Sequence, residues 1–97
     1  MAQIIYSAEA FTDFERIVEF LLESSPEQAA GALENIRSAI SILKDHPLIG
    51  RRVDGHLREL VVSRGMSGYL ALYRFDVAID VVRILRIRHQ REAGYLQ

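Results

Sequence analysis

Three side chains near the C-terminus have the types that acid–base work on a phosphodiester requires: His89, Arg91 and Tyr95. Metal-free cleavage of RNA through the ribose 2′-hydroxyl needs a group to take the hydroxyl proton, a cation to hold the phosphate as charge builds, and a group to protonate the leaving oxygen. Histidine, arginine and tyrosine can fill those roles. Arg51, Arg52 or Arg58 would stand near them if the strands pair as their sequence order suggests. The alternative is structural, with Arg91 paired to Glu92 or Glu59 and His89 closing the end of a strand. Residue types alone favour that plainer role.

Other chemistries find less support. The chain has no cysteine, which removes disulfides, thiolate zinc sites and a cysteine nucleophile. His46, His56 and His89 are scattered without a ligand neighbour at helical spacing, so no metal site is expected. Gly65 and Gly68 are too sparse for a phosphate loop, and no serine lies in a nucleophile-elbow context. No cofactor is expected. Carboxylates such as Asp13 and Glu15 are expected on the exposed face of a helix.

Ninety-seven residues predict a single domain, 1–97. No apolar run is long enough for a membrane span, and the N-terminus lacks the pattern of a signal peptide. With no cysteine, a cytoplasmic location is the expectation. The net charge of −1 conceals a split. Residues 1–45 carry eight acids against three bases, a net of −5, whereas residues 46–97 carry nine arginines against five acids, a net of +4. Such polarity predicts an acidic partner for the C-terminal half. Arginine supplies eleven of the twelve basic residues, which favours fixed bidentate contacts over loose attraction.

The elements that position these groups follow from periodicity. Gln3-Ile4-Ile5-Tyr6 predicts a short strand. Ser7 offers an N-cap for a helix over residues 8–23, whose apolar positions are Phe11, Phe14, Ile17, Val18, Leu21 and Leu22. Ser25, Pro26 and Gln28 form the signature of a second helix start, and Ala29, Leu33, Ile36, Ile40 and Leu43 carry it to about Asp45, before Pro47. The two helices must fold back as an antiparallel hairpin. Residues 46–56 read as a loop and turn, 57–62, 69–75 and 81–89 as strands. Alternation puts Tyr69, Ala71, Tyr73 and Phe75 on one face of the middle strand. In the last strand it groups Val82, Ile84, Arg86 and Arg88 on one face, and Val81, Arg83, Leu85, Ile87 and His89 on the other. The predicted fold is α+β, β-α-α-β-β-β, a helical hairpin packed on a small antiparallel sheet. Both sheet faces are partly apolar, so the face away from the helices is expected to meet a protein partner.

Four segments in order, HPLIGRR (46–52), LREL (57–60), GYLALYRFD (68–76) and VVRILRIRHQRE (81–92), resemble the RelE/ParE toxin superfamily over nearly the whole chain. The resemblance implies the same helical hairpin on a small sheet, and a toxin neutralised by an antitoxin encoded beside it. Two mechanisms occur in the superfamily. RelE-type members cut messenger RNA in the ribosome, using an arginine directly after the aromatic that opens the third strand and lysines on the strand before it. Those positions here are Leu70 and the lysine-free stretch 60–63. Arg91 matches the arginine after the last strand, but the tail tyrosine of that branch falls at Gln97, two positions beyond Tyr95.

The segments around Tyr69 to Arg74 and Leu85 to Glu92 are closer to ParE-type members, which poison DNA gyrase by binding. The resemblance therefore implies a ParE-like gyrase inhibitor that is not itself an enzyme. Its partner would be a ParD-like antitoxin, held through the sheet and the helix-hairpin groove, whose C-terminal segment folds on binding. Arg51, Arg52, Arg58, Arg74, Arg86, Arg88 and Arg91 are the candidate contacts for antitoxin or target. The alternatives are a ribosome-dependent endoribonuclease using Arg91 with His89 or Tyr95, and a decayed toxin that only binds antitoxin.

Overall fold

The computed structural model describes residues 1–62 and 68–89. A strand β1 (Gln3–Tyr6) leads into helices α1 (Ala8–Ser24) and α2 (Pro26–Ile40), followed by a 3-10 turn over Ser41–Lys44. Strands β2 (Arg51–Asp54), β3 (Leu57–Val61), β4 (Tyr69–Asp76) and β5 (Val81–His89) complete the described chain. The fold class is α+β, as the sequence predicts, with two differences in the sheet. An additional strand, β2, occupies part of the predicted loop. The sheet is also mixed: its order is β1-β5-β4-β3-β2, and β1 runs parallel to β5 while the other neighbours are antiparallel. β2 escapes the sequence reading because it is a bare edge of four exposed residues, Arg-Arg-Val-Asp, with no apolar alternation to announce it. Its charges suit an edge that must not pair with other chains.

Ser7 joins the two layers. Its hydroxyl accepts the Ala10 N–H at 3.0 Å, capping α1, and donates to the Leu85 carbonyl at 2.8 Å. Its own N–H donates to the Ile84 carbonyl at 2.9 Å, extending the β1–β5 pairing by one bond. The expected cap at Ser25 does not form: the side chain makes no cap bond, and its carbonyl accepts the Gln28 and Ala29 N–H groups instead. Pro26 still opens α2 at the position where a missing N–H costs nothing. α2 stops at Ile40 rather than near Asp45, because the chain tightens into the 3-10 turn, and the Lys44 carbonyl takes the Ala2 N–H at 2.8 Å.

The core lies between the helices and one face of the sheet. Ile36, Ile40 and Leu43 from the second helical segment meet Tyr73, Val82, Ile84 and Ile87 from β4 and β5, all fully buried. Only half of the apolar surface on α1 joins them. Phe14, Ile17 and Leu21 are buried, whereas Phe11 and Leu22 are each 57% exposed and Phe20 is 64% exposed. The apolar band of α1 is broader than one sheet face can cover.

Near its middle, β5 breaks the alternation expected of it. Leu72 pairs with Arg86 but Tyr73 pairs with Ile84, leaving Leu85 as the extra residue of a β-bulge. The inward phase therefore switches from Val82 and Ile84 to Ile87. Arg86 and Arg88 consequently do not share a face with Val82 and Ile84, and this corrects the expected grouping.

Candidate functional site

The sheet face away from the helices is assembled from rows fixed by strand register. One row is Leu57, Arg74, Arg83 and Ile5; the next is Arg51, Glu59, Leu72 and Arg86; the third is Val61, Leu70 and Arg88. Apolar and arginine side chains are thus interleaved on one surface, with Glu59 at its centre. The Glu59 side chain is only 8% exposed and sits beneath two arginines, with Arg51 Nη2 at 3.1 Å and Arg88 Nη2 at 3.8 Å.

Arg74 and Arg83 are direct cross-strand partners. Like charges opposite one another destabilise a sheet, and neither forms an ion pair among the described residues. The Arg83 Nε atom is moreover buried with no hydrogen-bond partner among the described residues. This pair supplies positive potential that no carboxylate among the described residues pairs with.

The remaining candidate arginines divide by what they touch. Arg52 donates to the Gly55 carbonyl at 3.3 Å, across the β2–β3 turn. Arg58 donates to the Leu48 and Gly50 carbonyls at 3.0 and 2.9 Å, holding the segment before β2 against the sheet. The Gly50 N–H donates in turn to the buried Tyr73 hydroxyl at 2.8 Å. Burial pushes the Tyr73 phenol above its ordinary 10.0, an effect partly offset by the Gly50 hydrogen bond and the Arg58 charge. Arg58 is therefore engaged by the fold.

Arg86 is engaged more deeply. Its Nε and Nη2 donate to the two Asp13 carboxylate oxygens at 2.8 and 3.1 Å, and the Ile87 N–H donates to Asp13 Oδ2 at 2.8 Å. Asp13 is 2% exposed, which corrects its expected place on a solvated helix face. β1 pairs with β5 only as far as Ile84, and past the bulge the Asp13 carboxylate takes the place of a strand partner for Ile87. The signal was available in α1: Asp13 stands three residues after Ala10 and four before Ile17, within the buried stripe.

Of the proposed acid–base trio, His89 lies opposite Tyr69 in the sheet, with its ring edge-on at 5.3 Å and 87°. Arg91 and Tyr95 lie outside the described residues, so their juxtaposition with His89 is not part of the described geometry. No group of three or more metal-ligating side chains occurs among the described residues. No described helix is long and apolar enough to cross a membrane.

Comparison with known proteins places this geometry. The profile of the family described as "ParE toxin of type II toxin-antitoxin system, parDE" matches residues 4–94. The chain belongs to the ParE toxin family of type II toxin–antitoxin systems. Among curated proteins it is 37% identical over 92 residues to Toxin RelE3 of Caulobacter vibrioides, covering 95% of this chain and 98% of that one. Toxin RelE1 of the same organism is 32% identical, with 91% and 96% covered.

Two solved structures share the fold. A chromosomal ParDE toxin–antitoxin system from P. aeruginosa superposes with a TM-score of 0.74 at 22% identity, covering 92% of this chain and 96% of that chain. The RelBE2 toxin–antitoxin complex from Mycobacterium tuberculosis gives 0.62 at 24% identity, with 92% and 98% covered. In this ParE-family chain Leu70 sits half-buried on the outer face between Val61 and Arg88, and β3 presents no lysine.

Proposed function

We propose that this toxin acts by binding, that its target is DNA gyrase, and that a cognate antitoxin silences it by laying an acidic segment along the outer sheet face. The observation that carries the docking surface is the Arg74–Arg83 pair, a like-charged cross-strand contact without a counterion among the described residues. An acidic partner segment relieves that repulsion, while Leu57, Val61, Leu70 and Leu72 offer apolar contact beside it. Toxin–antitoxin systems among the structural relatives support the choice of partner. Arg51 and Arg88 flank Glu59 on the same face and contribute there. Arg52, in register with Arg58 and the inward-facing Tyr73, belongs to the opposite face, and Arg58 and Arg86 act through the fold. Arg91 belongs to the proposal through its sequence position alone.

The choice of gyrase rests on residue types. Leu70 stands where the nuclease branch of the superfamily carries an arginine, and residues 60–63 contain no lysine. A second reading, ribosome-dependent messenger cleavage with Arg91 and His89 or Tyr95, draws on the RelE names of the curated relatives. Production of the toxin without antitoxin should arrest growth, with plasmid DNA relaxed or cleaved and messenger RNA intact. Cleaved messenger with normally supercoiled plasmid would support the second reading.

Arg74→Glu gives a sharper test of the docking face. It converts a repulsive cross-strand pair into an attractive one, so folding stability should rise by about 0.2–1 kcal/mol. Antitoxin affinity should instead fall about tenfold, equivalent to about 1.4 kcal/mol. Urea melts and calorimetric titration read the two effects separately. Movement of both in the same direction would tell against this surface.

A further inference from the structure

One corner of the sheet belongs neither to the core nor to the outer face. Strand register puts Arg52 opposite Arg58, and Arg58 opposite the buried Tyr73, so both arginines have the inward phase. His56 stands one residue beyond the Leu57–Arg74 pair, which brings it beside Phe75 on the same side. α1 packs on β5, towards the other edge of the sheet. Arg52 and His56 are consequently exposed, and Arg58 and Phe75 only half-buried. The corner holds a pocket of about 150 Å³. Arg52, His56 and Arg58 supply its polar lining, Leu48, Phe75 and Val77 its apolar lining, and no carboxylate lines it among the described residues.

The two arginines are held by carbonyls rather than by acids. Arg58 Nη1 donates to the Leu48 and Gly50 carbonyls at 3.0 and 2.9 Å. Arg52 Nη2 donates to the Gly55 carbonyl at 3.3 Å. Neither makes an ion pair among the described residues. A carbonyl orients a guanidinium without cancelling its charge, whereas a carboxylate does both. Each fork is thus tethered through one nitrogen, and its other N–H groups make no hydrogen bond among the described residues. Two oriented positive charges face one another across β2 and β3, an arrangement that costs a sheet stability. The turn completes the cluster. Gly55 and His56 alone join the two strands, and Gly55 has φ 53°, as the first position of a two-residue hairpin turn favours.

Size and charge select the ligand. Ordinary ligand pockets run to about 300–1,000 Å³, so this one encloses a single group rather than a whole molecule. Guanidinium forks match carboxylate and phosphate oxygens alike. A carboxylate has one charge and two oxygens, enough for one fork. A phosphate monoester carries about −1.5 to −2 at pH 7 and presents three oxygens, enough for two forks and an imidazole. We propose that this pocket binds a terminal phosphate monoester borne on an aromatic group, in chemical class a nucleoside monophosphate. The phosphate lies among Arg52, Arg58 and His56, and the ring rests at the mouth against Leu48, Phe75 and Val77. The tether that takes Arg58 away from the outer face aims it into this site. Nothing in the site depends on which molecule the toxin poisons or which protein silences it.

Titration of the ¹⁵N-labelled full chain with AMP, inorganic phosphate, adenosine and glutamate tests the site. AMP should shift the amides of Arg52, His56, Arg58 and Phe75, and inorganic phosphate the same set at higher concentration. Adenosine and glutamate should leave them in place. Arg52→Gln should weaken AMP binding about tenfold, the loss of one charge-assisted contact. Thermal melts show whether the variant is folded, and His56→Gln is the second variant should Arg52→Gln not be. Lys44→Gln removes the same charge from the helical side and should bind AMP as the wild type does. An equal loss in Lys44→Gln would reduce the site to diffuse attraction of anions and overturn it. Glutamate or adenosine shifts equal to those of AMP, or no shifts with AMP, would overturn it as well. A 5′-phosphorylated oligonucleotide separates two sources of the same group: tighter binding than AMP at these amides places the phosphate on a strand end, weaker binding on a free nucleotide. Equal binding by the unphosphorylated strand would contradict both.

Discussion

Asp13→Ala should cost this toxin about 3–5 kcal/mol of folding stability, the range for removing one partner of a buried, hydrogen-bonded charge pair. The carboxylate serves three groups at once: Arg86 through Nε and Nη2, the Ile87 N–H, and Arg16 at 3.6 Å. Its loss strands a backbone donor at the open side of β5 and leaves the Arg86 guanidinium, 20% exposed, without its carboxylate partner. Small domains are held by only about 5–15 kcal/mol, so the variant should lie close to its unfolding midpoint near body temperature. Asp13→Asn keeps the acceptor for Ile87 and loses the charge, and should fall between the two. Urea unfolding of the three proteins measures the series. An alanine variant within about 1 kcal/mol of wild type would mean that water replaces the carboxylate at this edge.

Gly50→Ala should produce the second largest loss. A Cβ built at Gly50 would stand 2.6 Å from both Cε1 and the hydroxyl oxygen of Tyr73 and 2.9 Å from its Cζ, closer than real contacts allow. Tyr73 is fully buried, so its ring has nowhere to retreat without disturbing Ile84 and Ile36. Overpacking of this kind costs about 1–3 kcal/mol. The displaced ring would also release the buried Gly50 N–H, at about 1–3 kcal/mol more. Tyr73→Phe removes only the hydroxyl, and comparing its melt with that of Gly50→Ala separates the two contributions. A Gly50→Ala protein as stable as wild type would show that the segment 46–50 is held by Arg58 rather than by close packing on the ring.

The elements legible in the sequence were those announced by local periodicity and caps. Ser7, Pro26 and the four-three spacing of Ile36, Ile40 and Leu43 marked both helices. Alternation in 69–75 grouped Tyr69, Ala71, Tyr73 and Phe75 on one face, and the structure shows that face to be the inner one, with the first three buried and Phe75 partly so. What could not be read depends on distant partners. The parallel pairing of β1 with β5 joins residues nearly eighty positions apart, and no local pattern distinguishes it from an antiparallel edge. The bulge at Leu85 is a matter of register: Val82, Ile84 and Ile87 are all apolar, and only the paired strand shows that the phase slips between them.

The candidate site was legible as a composition rather than as positions. Excess arginine in the second half pointed to a basic sheet, and the sheet face is basic. Arg58 and Arg86, however, are taken up by the fold, whereas Arg83, which the sequence did not single out, lies beside Arg74 without an ion pair among the described residues. In each case the deciding quantity was which carboxylate or carbonyl an arginine meets, and that is set by tertiary contact.

The most direct measurement is a supercoiling assay with purified gyrase and relaxed plasmid, titrated with toxin alone and with toxin preincubated with its antitoxin. Inhibition of supercoiling that rises with toxin and is abolished by antitoxin, in a preparation that leaves ribosome-bound messenger intact, is the result expected of a binding poison of the ParE type. Undisturbed supercoiling at toxin concentrations that cleave ribosome-bound messenger, with the cleavage lost on Arg91→Ala, would contradict it.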